Sequence, residues 1–308
     1  MTDLVPDGFA EAVGAYEPDP VDVDAPYAVT GATWLRHLPR LLEDLLAGWD
    51  LAVDGPTCWG HCAVVLPVTG PNGPAALKVS WPHLEARSEH LALRHWDGHG
   101  AVRLIRADPA RFALLLERLD ATTDLTAVPI DEACEVIGDL LAQLSSPAIA
   151  RTPALSAYAA RHADGVDRAA DGGLPRRFVE QARHLASDLT ADPAVDSRLV
   201  HSDLHYANVL SAGRQPWLAI DPKPMAGDRA FEVAPALWNR PDELGTGSSV
   251  RWLLRRRVEI ICEHSGIDED RAKAWTICSM SVRSLFSFVS WLRSASTLGS
   301  QRRSSSST

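Results

Sequence analysis

Apolar and polar residues alternate along the first third of the chain in short runs separated by Gly and Pro turns. A period of two with turn residues between the runs is typical of antiparallel strands that bury one face. The same region contains two stretches with helical spacing, one within residues 27–49 and one from Pro82 to Trp96. We predict strands at Leu51–Asp54, Cys62–Val68, Ala75–Ser80, Val102–Arg106 and Phe112–Arg118.

After Asp120 the apolar spacing changes to a helical period. The predicted helices are Ile130–Ser145, Leu155–Ala170, Arg176–Leu189, Val250–Ser265 and Asp270–Leu292. A polar insert at residues 199–221 has the pattern of loop, short strand, turn and strand, and we expect chemistry there. The fold class is therefore α+β, with an antiparallel-sheet lobe and a mainly helical lobe.

We predict four parts: an acidic flexible arm at 1–26, a nucleotide-binding N-lobe with its preceding helix at 27–119, a helical C-lobe with the catalytic loop and substrate pocket at 120–297, and a disordered Ser-rich tail at 298–308. A length of 308 residues is consistent with two lobes around a cleft.

Charge and cysteine content narrow the functional classes. Residues 1–35 contain seven acids and no Lys or Arg, so they account for most of the formal net charge of −10. The remaining chain is only mildly acidic and has no basic field for nucleic acid, which favours a small-molecule partner. The five cysteines show no paired framework, which predicts reduced thiols. The sequence contains no run of about 18 apolar residues, so we predict no membrane-spanning helix. We expect a cytoplasmic protein, and nothing indicates its oligomeric state.

The strongest motif lies in the polar insert. Asp203 is followed by Asn208 with four residues between them, and Asp221 comes thirteen residues after Asn208. Phosphoryl transfer uses one carboxylate to accept the proton of the attacking hydroxyl, and an amide and a second carboxylate to hold Mg²⁺ on the phosphates. The motif therefore predicts Asp203 as catalytic base and Asn208 with Asp221 as metal ligands.

Two other interpretations of this insert exist. The three polar residues could be turn formers, because Asp and Asn favour turns. Alternatively, His201, Asp203 and His205 could bind Zn²⁺ or Fe in a hydrolase, but no further motif completes such a ligand set.

A kinase also needs a cation on the ATP phosphates. Lys78 lies inside an apolar strand, where a buried ammonium requires a carboxylate partner. Glu89 in the following helix is the expected partner, and Glu85 is its competitor. The turn from Gly55 to Gly60 could cover phosphates or be a simple hairpin turn. No Walker A sequence is present, which excludes P-loop kinases.

These motifs, together with Ile220-Asp221-Pro222-Lys223-Pro224 and Gly227-Asp228, resemble the aminoglycoside/hydroxyurea antibiotic resistance kinase family, particularly its streptomycin 6-phosphotransferases. The resemblance covers roughly residues 30–295 and implies a bilobal, eukaryotic-protein-kinase-like fold with ATP and Mg²⁺ as cofactors. It implies that Lys78, held by Glu89, forms the phosphate-binding pair and that the hinge from Glu117 to Leu119 offers backbone groups to adenine. Ser202 stands where such families usually have glycine.

The resemblance implies a cationic aminoglycoside as acceptor, streptomycin first, which carboxylates and aromatic faces would recognise. Trp238, Asp242 and Glu243 are the candidate acceptor contacts, although the two acids could equally be plain loop residues. Lys223 could reach the transferred phosphate or an acceptor hydroxyl, or be a surface lysine. Asp228 and Glu232 are expected to cap and fix loops.

Three functions follow. The first is O-phosphorylation of an aminoglycoside hydroxyl, which inactivates the drug. The second is phosphorylation of hydroxyurea or another small metabolite on the same fold. The third is a nucleotide-binding pseudokinase, against which the complete set of Lys78, Asp203, Asn208 and Asp221 argues. A protein kinase is disfavoured because no APE-like segment follows Asp221.

Overall fold

The computed structural model describes residues 4–19, 23–161 and 176–283. The described residues of Met1–Pro129 and Asp203–Pro224 form one compact unit, and those of Ile130–Ser202 and Met225–Thr308 form a second. The insert that contains Asp203, Asn208 and Asp221 therefore groups with the N-terminal strands, whereas the sequence placed it in the C-lobe. Strand pairing explains this grouping, because the insert forms a sheet with a strand of the first unit.

Two antiparallel sheets build the first unit. Their strands are β1 (Ala52–Val53), β2 (Cys58–Trp59), β3 (Ala63–Gly70), β4 (Gly73–Ser80), β5 (Leu104–Asp108), β6 (Ala113–Glu117), β7 (Asp120–Asp124), β10 (Val209–Ser211) and β11 (Trp217–Ala219). The larger sheet has the order β1-β3-β4-β6-β5, and β2 pairs with β3. The smaller has the order β11-β10-β7. The five predicted strands are confirmed, whereas β2 and β7 were not predicted.

Alternation along β3 and β4 gives the larger sheet two different faces. Val64 and Leu66 of β3 and Leu77 and Val79 of β4 are fully buried in the core of this unit. Helices cover that face: α1 (Asp7–Gly14) and α2 (Gly31–Trp49) contribute Phe9, Val13, Trp34, Leu38, Leu42 and Leu45. The opposite face, which includes Lys78, is therefore available to the site.

Helix α1 corrects the expectation of a flexible arm at residues 1–26. Phe9 and Val13 lie one turn apart on α1 and are both fully buried, so their burial in the core stabilises this short helix. The helix predicted from Pro82 begins instead as a 3₁₀ turn at Glu85–Ser88 and continues as α3 (Glu89–Trp96).

The second unit is mainly helical, as predicted. It contains α4 (Ile130–Leu144), helical residues 155–161 that we label α5, α6 (Arg176–Thr190), α7 (Ala234–Trp238), α8 (Ser248–Ser265) and α9 (Glu269–Arg283). A small antiparallel sheet joins β8 (Ser146–Pro147), β9 (Arg198–Val200) and β12 (Met225–Gly227). Residues 162–170, residues 284–292 and the predicted Ser-rich tail lie outside the described residues. No described helix is both long and apolar enough to cross a membrane.

A buried carboxyl group fixes the segment that leads to Asp203. The Glu232 carboxyl accepts a hydrogen bond from the His201 amide at 2.6 Å and also interacts with the Ser202 amide. This loop-fixing role was expected for Glu232. Ser202 has a φ of 60°, in the left-handed region that favours glycine. The contact with Glu232 supports the serine in this conformation.

Burial raises the pKa of Glu232 to about 8, although the His201 amide and the charge of Arg229 favour its anion. The folded-state pKa exceeds the unfolded value, so the stability contributed by Glu232 is present below pH ~4.5 and is lost as the pH rises through about 8. Glu232→Gln cannot ionise, and we expect it to gain stability relative to the wild type, by up to about 1 kcal/mol per pH unit, between pH 5 and 8. Urea denaturation at pH 5, 6.5 and 8 measures this trend.

Glu259→Gln is the matched control, because the Glu259 side chain on α8 is 60% exposed. It should follow the wild type at every pH. Parallel curves for Glu232→Gln and the wild type would show instead that Glu232 is already ionised in the fold.

Candidate active site

The β10–β11 hairpin brings Asn208 and Asp221 together. Val209 pairs with Ala219, and the Ile220 amide donates to the Asn208 carbonyl oxygen at 2.9 Å, so the two polar residues flank the open end of the hairpin. The Asn208 side-chain amide donates to the Asp203 carbonyl oxygen, also at 2.9 Å. The three residues of the motif, Asp203, Asn208 and Asp221, therefore lie in one cluster.

Lys78 binds two carboxylates from different parts of the first unit. Its Nζ lies 2.7 Å from Glu89 Oε1 on α3 and 2.5 Å from Asp221 Oδ1 after β11. The Lys78 side chain is 8% exposed. Burial lowers the pKa of Lys78, but the charges of Asp221 and Glu89 outweigh burial and raise it above its ordinary value. Lys78 is therefore a permanent cation, and Glu89 is its helical partner, as predicted.

Lys223 forms a second ion-pair group. Its Nζ lies 2.7 Å from Asp203 Oδ2 and 3.6 Å from Glu85 Oε2. Burial by itself lowers the pKa of Lys223, but the charges of Asp203 and Glu85 outweigh burial. The pKa of Lys223 is therefore raised above its ordinary value. Glu85 thus contacts Lys223 rather than Lys78. The contact supports the hypothesis that Lys223 acts near the reacting groups, because its ammonium pairs with Asp203, the expected catalytic base.

A cavity of about 460 Å³ lies beside these groups, within the first unit. Its lining combines apolar side chains with Lys78, Asn208, Asp221 and Lys223. A mostly apolar cavity with a few convergent polar groups is the usual form of a nucleotide or small-ligand site. Its apolar lining includes Val65, Ala76, Val102, Leu116, Leu119, Leu210 and Ile220.

Glu117 and Leu119 both line this cavity, but Glu117 already has partners. Its amide donates to the Arg103 carbonyl oxygen at 3.0 Å, and its carboxylate accepts from the Arg103 amide at 2.6 Å. That amide is therefore not available to adenine. The predicted hinge contacts stay a prediction, with Leu119 as the better backbone candidate.

Arg214 is a residue that the sequence did not single out. Its guanidinium binds the Glu117 carboxylate at 2.6 Å and the carbonyl oxygens of Gly98 and Ala101 at 2.5 and 2.7 Å. Arg214 lies in the turn of the β10–β11 hairpin, so it connects this hairpin to the hinge. Because the chain uses arginine for most of its positive charge, nothing in the sequence distinguished Arg214 from the other arginines.

The candidate acceptor residues lie in the second unit. Trp238 ends α7 and is half-buried, whereas Asp242 and Glu243 are exposed on a 3₁₀ turn. Arg240 binds the Glu243 carboxylate at 2.6 Å, which neutralises one of the two acids. Their role stays a prediction.

The alternative of a Zn²⁺ or Fe site gains no support, because the described residues contain no group of three or more His, Cys, Asp or Glu side chains arranged to hold a metal ion. The oxygen donors of Asn208 and Asp221 suit a hard cation such as Mg²⁺ instead. The Asp221 side chain is 45% exposed and lines the cavity, so it is accessible to a cation there.

Comparisons with known proteins identify the family. The model of the family described as aminoglycoside/hydroxyurea antibiotic resistance kinase matches residues 48–288. A streptomycin 6-kinase from Streptomyces glaucescens is 40% identical over 252 residues, which cover 80% of this chain and 81% of that enzyme. A hydroxyurea phosphotransferase from Kitasatospora aureofaciens is 40% identical over 272 residues, covering 83% of this chain and 75% of that enzyme.

A crystal structure of a spectinomycin phosphotransferase with ADP and spectinomycin has a similar fold, with a TM-score of 0.53 at 14% identity over 81% of this chain and 88% of that one. This similarity confirms the predicted kinase-like α+β fold. The extent of the family match also confirms the predicted resemblance. The chain belongs to the aminoglycoside/hydroxyurea antibiotic resistance kinases.

Proposed function

We propose that this kinase uses ATP to phosphorylate a hydroxyl of an aminoglycoside, and that the acceptor is streptomycin at its 6-position. The observation that carries the proposal is the pairing of Asp203 with Lys223 beside the cavity that also contains Lys78. This places a carboxylate that can accept a proton next to two cations that can bind phosphate. The similarity to the streptomycin 6-kinase supports the choice of acceptor.

The cavity would bind ATP with its adenine against the apolar wall and its phosphates at the polar end. Lys78 would contact the phosphates, and Glu89 would hold Lys78 in position at 2.7 Å. Asn208 and Asp221 would hold Mg²⁺, which when bound neutralises charge on the phosphates. The donor types and the exposure of Asp221 fit this cation.

Asp203 would act as the general base. In the reaction, the acceptor oxygen forms a bond to the terminal phosphorus of ATP, and the bond from that phosphorus to the bridging oxygen breaks. The hydroxyl proton passes to an Asp203 carboxylate oxygen, and ADP leaves. The contact between Asn208 and the Asp203 carbonyl oxygen keeps the base in a fixed position relative to the metal ligands.

Trp238 and Asp242 would contribute to recognition of the cationic acceptor, through an aromatic face and a carboxylate. Glu243 contributes less, since Arg240 already binds it. We take the reaction to occur in the cytoplasm, where the five free cysteines would stay reduced.

Hydroxyurea is the second candidate acceptor, because a hydroxyurea phosphotransferase is as similar to this chain as the streptomycin 6-kinase. The two acceptors differ in size and charge. Measuring kcat/KM for each with the purified enzyme separates the two functions.

We expect Asp203→Asn to reduce streptomycin-dependent ADP release by about 10²–10⁴-fold, since an amide cannot accept the proton. A coupled assay for ADP with Mg·ATP and streptomycin measures this loss. Asp44→Asn is the matched control, because Asp44 is an exposed residue on α2 and should leave turnover unchanged.

Turnover with hydroxyurea but not streptomycin would assign the second function. Bound ATP without turnover on either acceptor would contradict both and favour the pseudokinase.

We expect Lys223→Met to lower kcat by about 10²-fold, because a positioned cation near the transferred phosphate stabilises the transition state more than the bound ATP. Lys223→Arg should recover part of this loss. The chain offers a matched control in Lys273→Met, since Lys273 pairs with Glu269 on the surface of α9. Unchanged kcat and KM in Lys223→Met would remove Lys223 from the reaction.

A further inference from the structure

The loop at residues 58–62, which we call the roof loop, covers one side of the candidate ATP cavity. All five of its residues line the cavity: Cys58, Trp59, Gly60, His61 and Cys62. The loop consists of β2 and the turn at residues 60–62 that leads to β3, and the Gly60 amide donates to the Ala63 carbonyl oxygen at 2.9 Å. Its position therefore determines how closely the protein surrounds anything bound there.

Helix α1 contacts the roof loop from outside the cavity. The Phe9 ring lies 6.0 Å from the Trp59 ring, at an interplanar angle of 54°. A Cβ atom at Gly8 would lie 3.2 Å from the same indole, so α1 approaches Trp59 closely at a glycine. Phe9 itself is fully buried and packs edge-on against Trp34. Phe9 thus anchors the helix in the core and also contacts the loop, while Gly8 allows the close approach of Trp59.

Tyr16 adds a polar contact at the other end of the loop. Its hydroxyl donates to the His61 carbonyl oxygen at 3.0 Å, and its ring lies 5.6 Å from the His61 ring. The Tyr16 carbonyl oxygen accepts from the Gly31 amide at 2.8 Å, which ties Tyr16 to the first residue of α2. Burial raises the pKa of the Tyr16 phenol, so it stays a donor at neutral pH.

These contacts come from a part of the chain that the family match does not include, since the match begins at residue 48. The segment from Asp7 to Tyr16 reaches the roof loop at two points, Trp59 and His61. A loop held at two points loses little further conformational freedom when a ligand binds under it.

We propose that residues 7–16 clamp the roof loop over the phosphates of ATP and that Tyr16 is the positioning residue of this clamp. The inference rests on the proposed function of the cavity as the ATP site. If the roof loop is already held in place, ATP binding does not cost the conformational entropy of ordering it. The held loop also excludes water from the phosphoryl group. The clamp would therefore lower the KM for ATP and limit ATP hydrolysis in the absence of an acceptor.

The test is Tyr16→Phe, which removes the hydroxyl and keeps the ring. We expect the KM for ATP to rise about fivefold, the effect of one hydrogen bond, while kcat with saturating ATP and streptomycin stays within about twofold. ATP hydrolysis without acceptor should increase. Tyr27→Phe is the matched control, because the Tyr27 ring packs on Phe112 and Arg87 rather than on the roof loop.

Thiol labelling gives a readout that does not depend on turnover. Burial raises the pKa of Cys62 to about 12, so this thiol should react slowly with N-ethylmaleimide while the roof is held. Without ATP, Tyr16→Phe should accelerate labelling of Cys62 severalfold, measured by peptide mass spectrometry. Cys134, buried on α4, serves as the internal control for general unfolding.

Equal labelling rates for Cys62 in Tyr16→Phe, Tyr27→Phe and the wild type would overturn the clamp. So would a KM for ATP that Tyr16→Phe leaves unchanged. Failure of the proposed function looks different: the wild type would then show no ATP turnover, and ATP would not slow Cys62 labelling. The labelling comparison without ATP still decides in that case whether Tyr16 holds the loop.

Discussion

The buried ammonium of Lys78 is the interaction on which the site depends. A cation with 8% of its side chain exposed cannot stay unpaired, and here it takes one carboxylate from α3 and one from the end of β11. Lys78 and Asp221 are 143 residues apart in the chain. A single electrostatic requirement thereby fixes the β10–β11 hairpin to the larger sheet. It holds Asp221 and Asn208 at the cavity, and Asp203 is tied to them through the Asn208 side chain.

The second ion-pair group completes the charge pattern. Lys78 and Lys223 contact four carboxylates, those of Glu89, Asp221, Asp203 and Glu85. The acidic groups of this cluster therefore outnumber its lysines two to one. A polyphosphate that binds there approaches carboxyl oxygens as well as ammonium groups, and a divalent cation between them would offset that repulsion. The excess of acidic groups is therefore consistent with the proposed Mg·ATP as the ligand.

The sequence predicted the parts of the site that depend on local spacing. Asp203 and Asn208 lie in one loop, and Lys78 stood out because an apolar strand contained a lysine in a chain with three lysines. Contacts between distant segments were not predicted. In the sequence, Arg214 and Tyr16 look like any other polar residues, because their partners Glu117 and His61 are distant along the chain. Helix α1 was missed for another reason: it has eight residues and two buried apolar side chains, which is too short a pattern to recognise in an acidic segment.

The residues proposed for phosphoryl transfer and those proposed for acceptor recognition belong to different units. The former all lie in the first unit, whereas Trp238, Asp242 and Glu243 lie in the second. A relative named for streptomycin and one named for hydroxyurea are both 40% identical to this chain. Overall sequence identity therefore indicates the kinase chemistry that these relatives share, but it does not indicate which acceptor is used. Under the proposed function, acceptor choice depends on a few side chains. Because Arg240 already pairs with Glu243, the groups proposed to distinguish a large cation from a small neutral molecule are the charge of Asp242 and the aromatic face of Trp238.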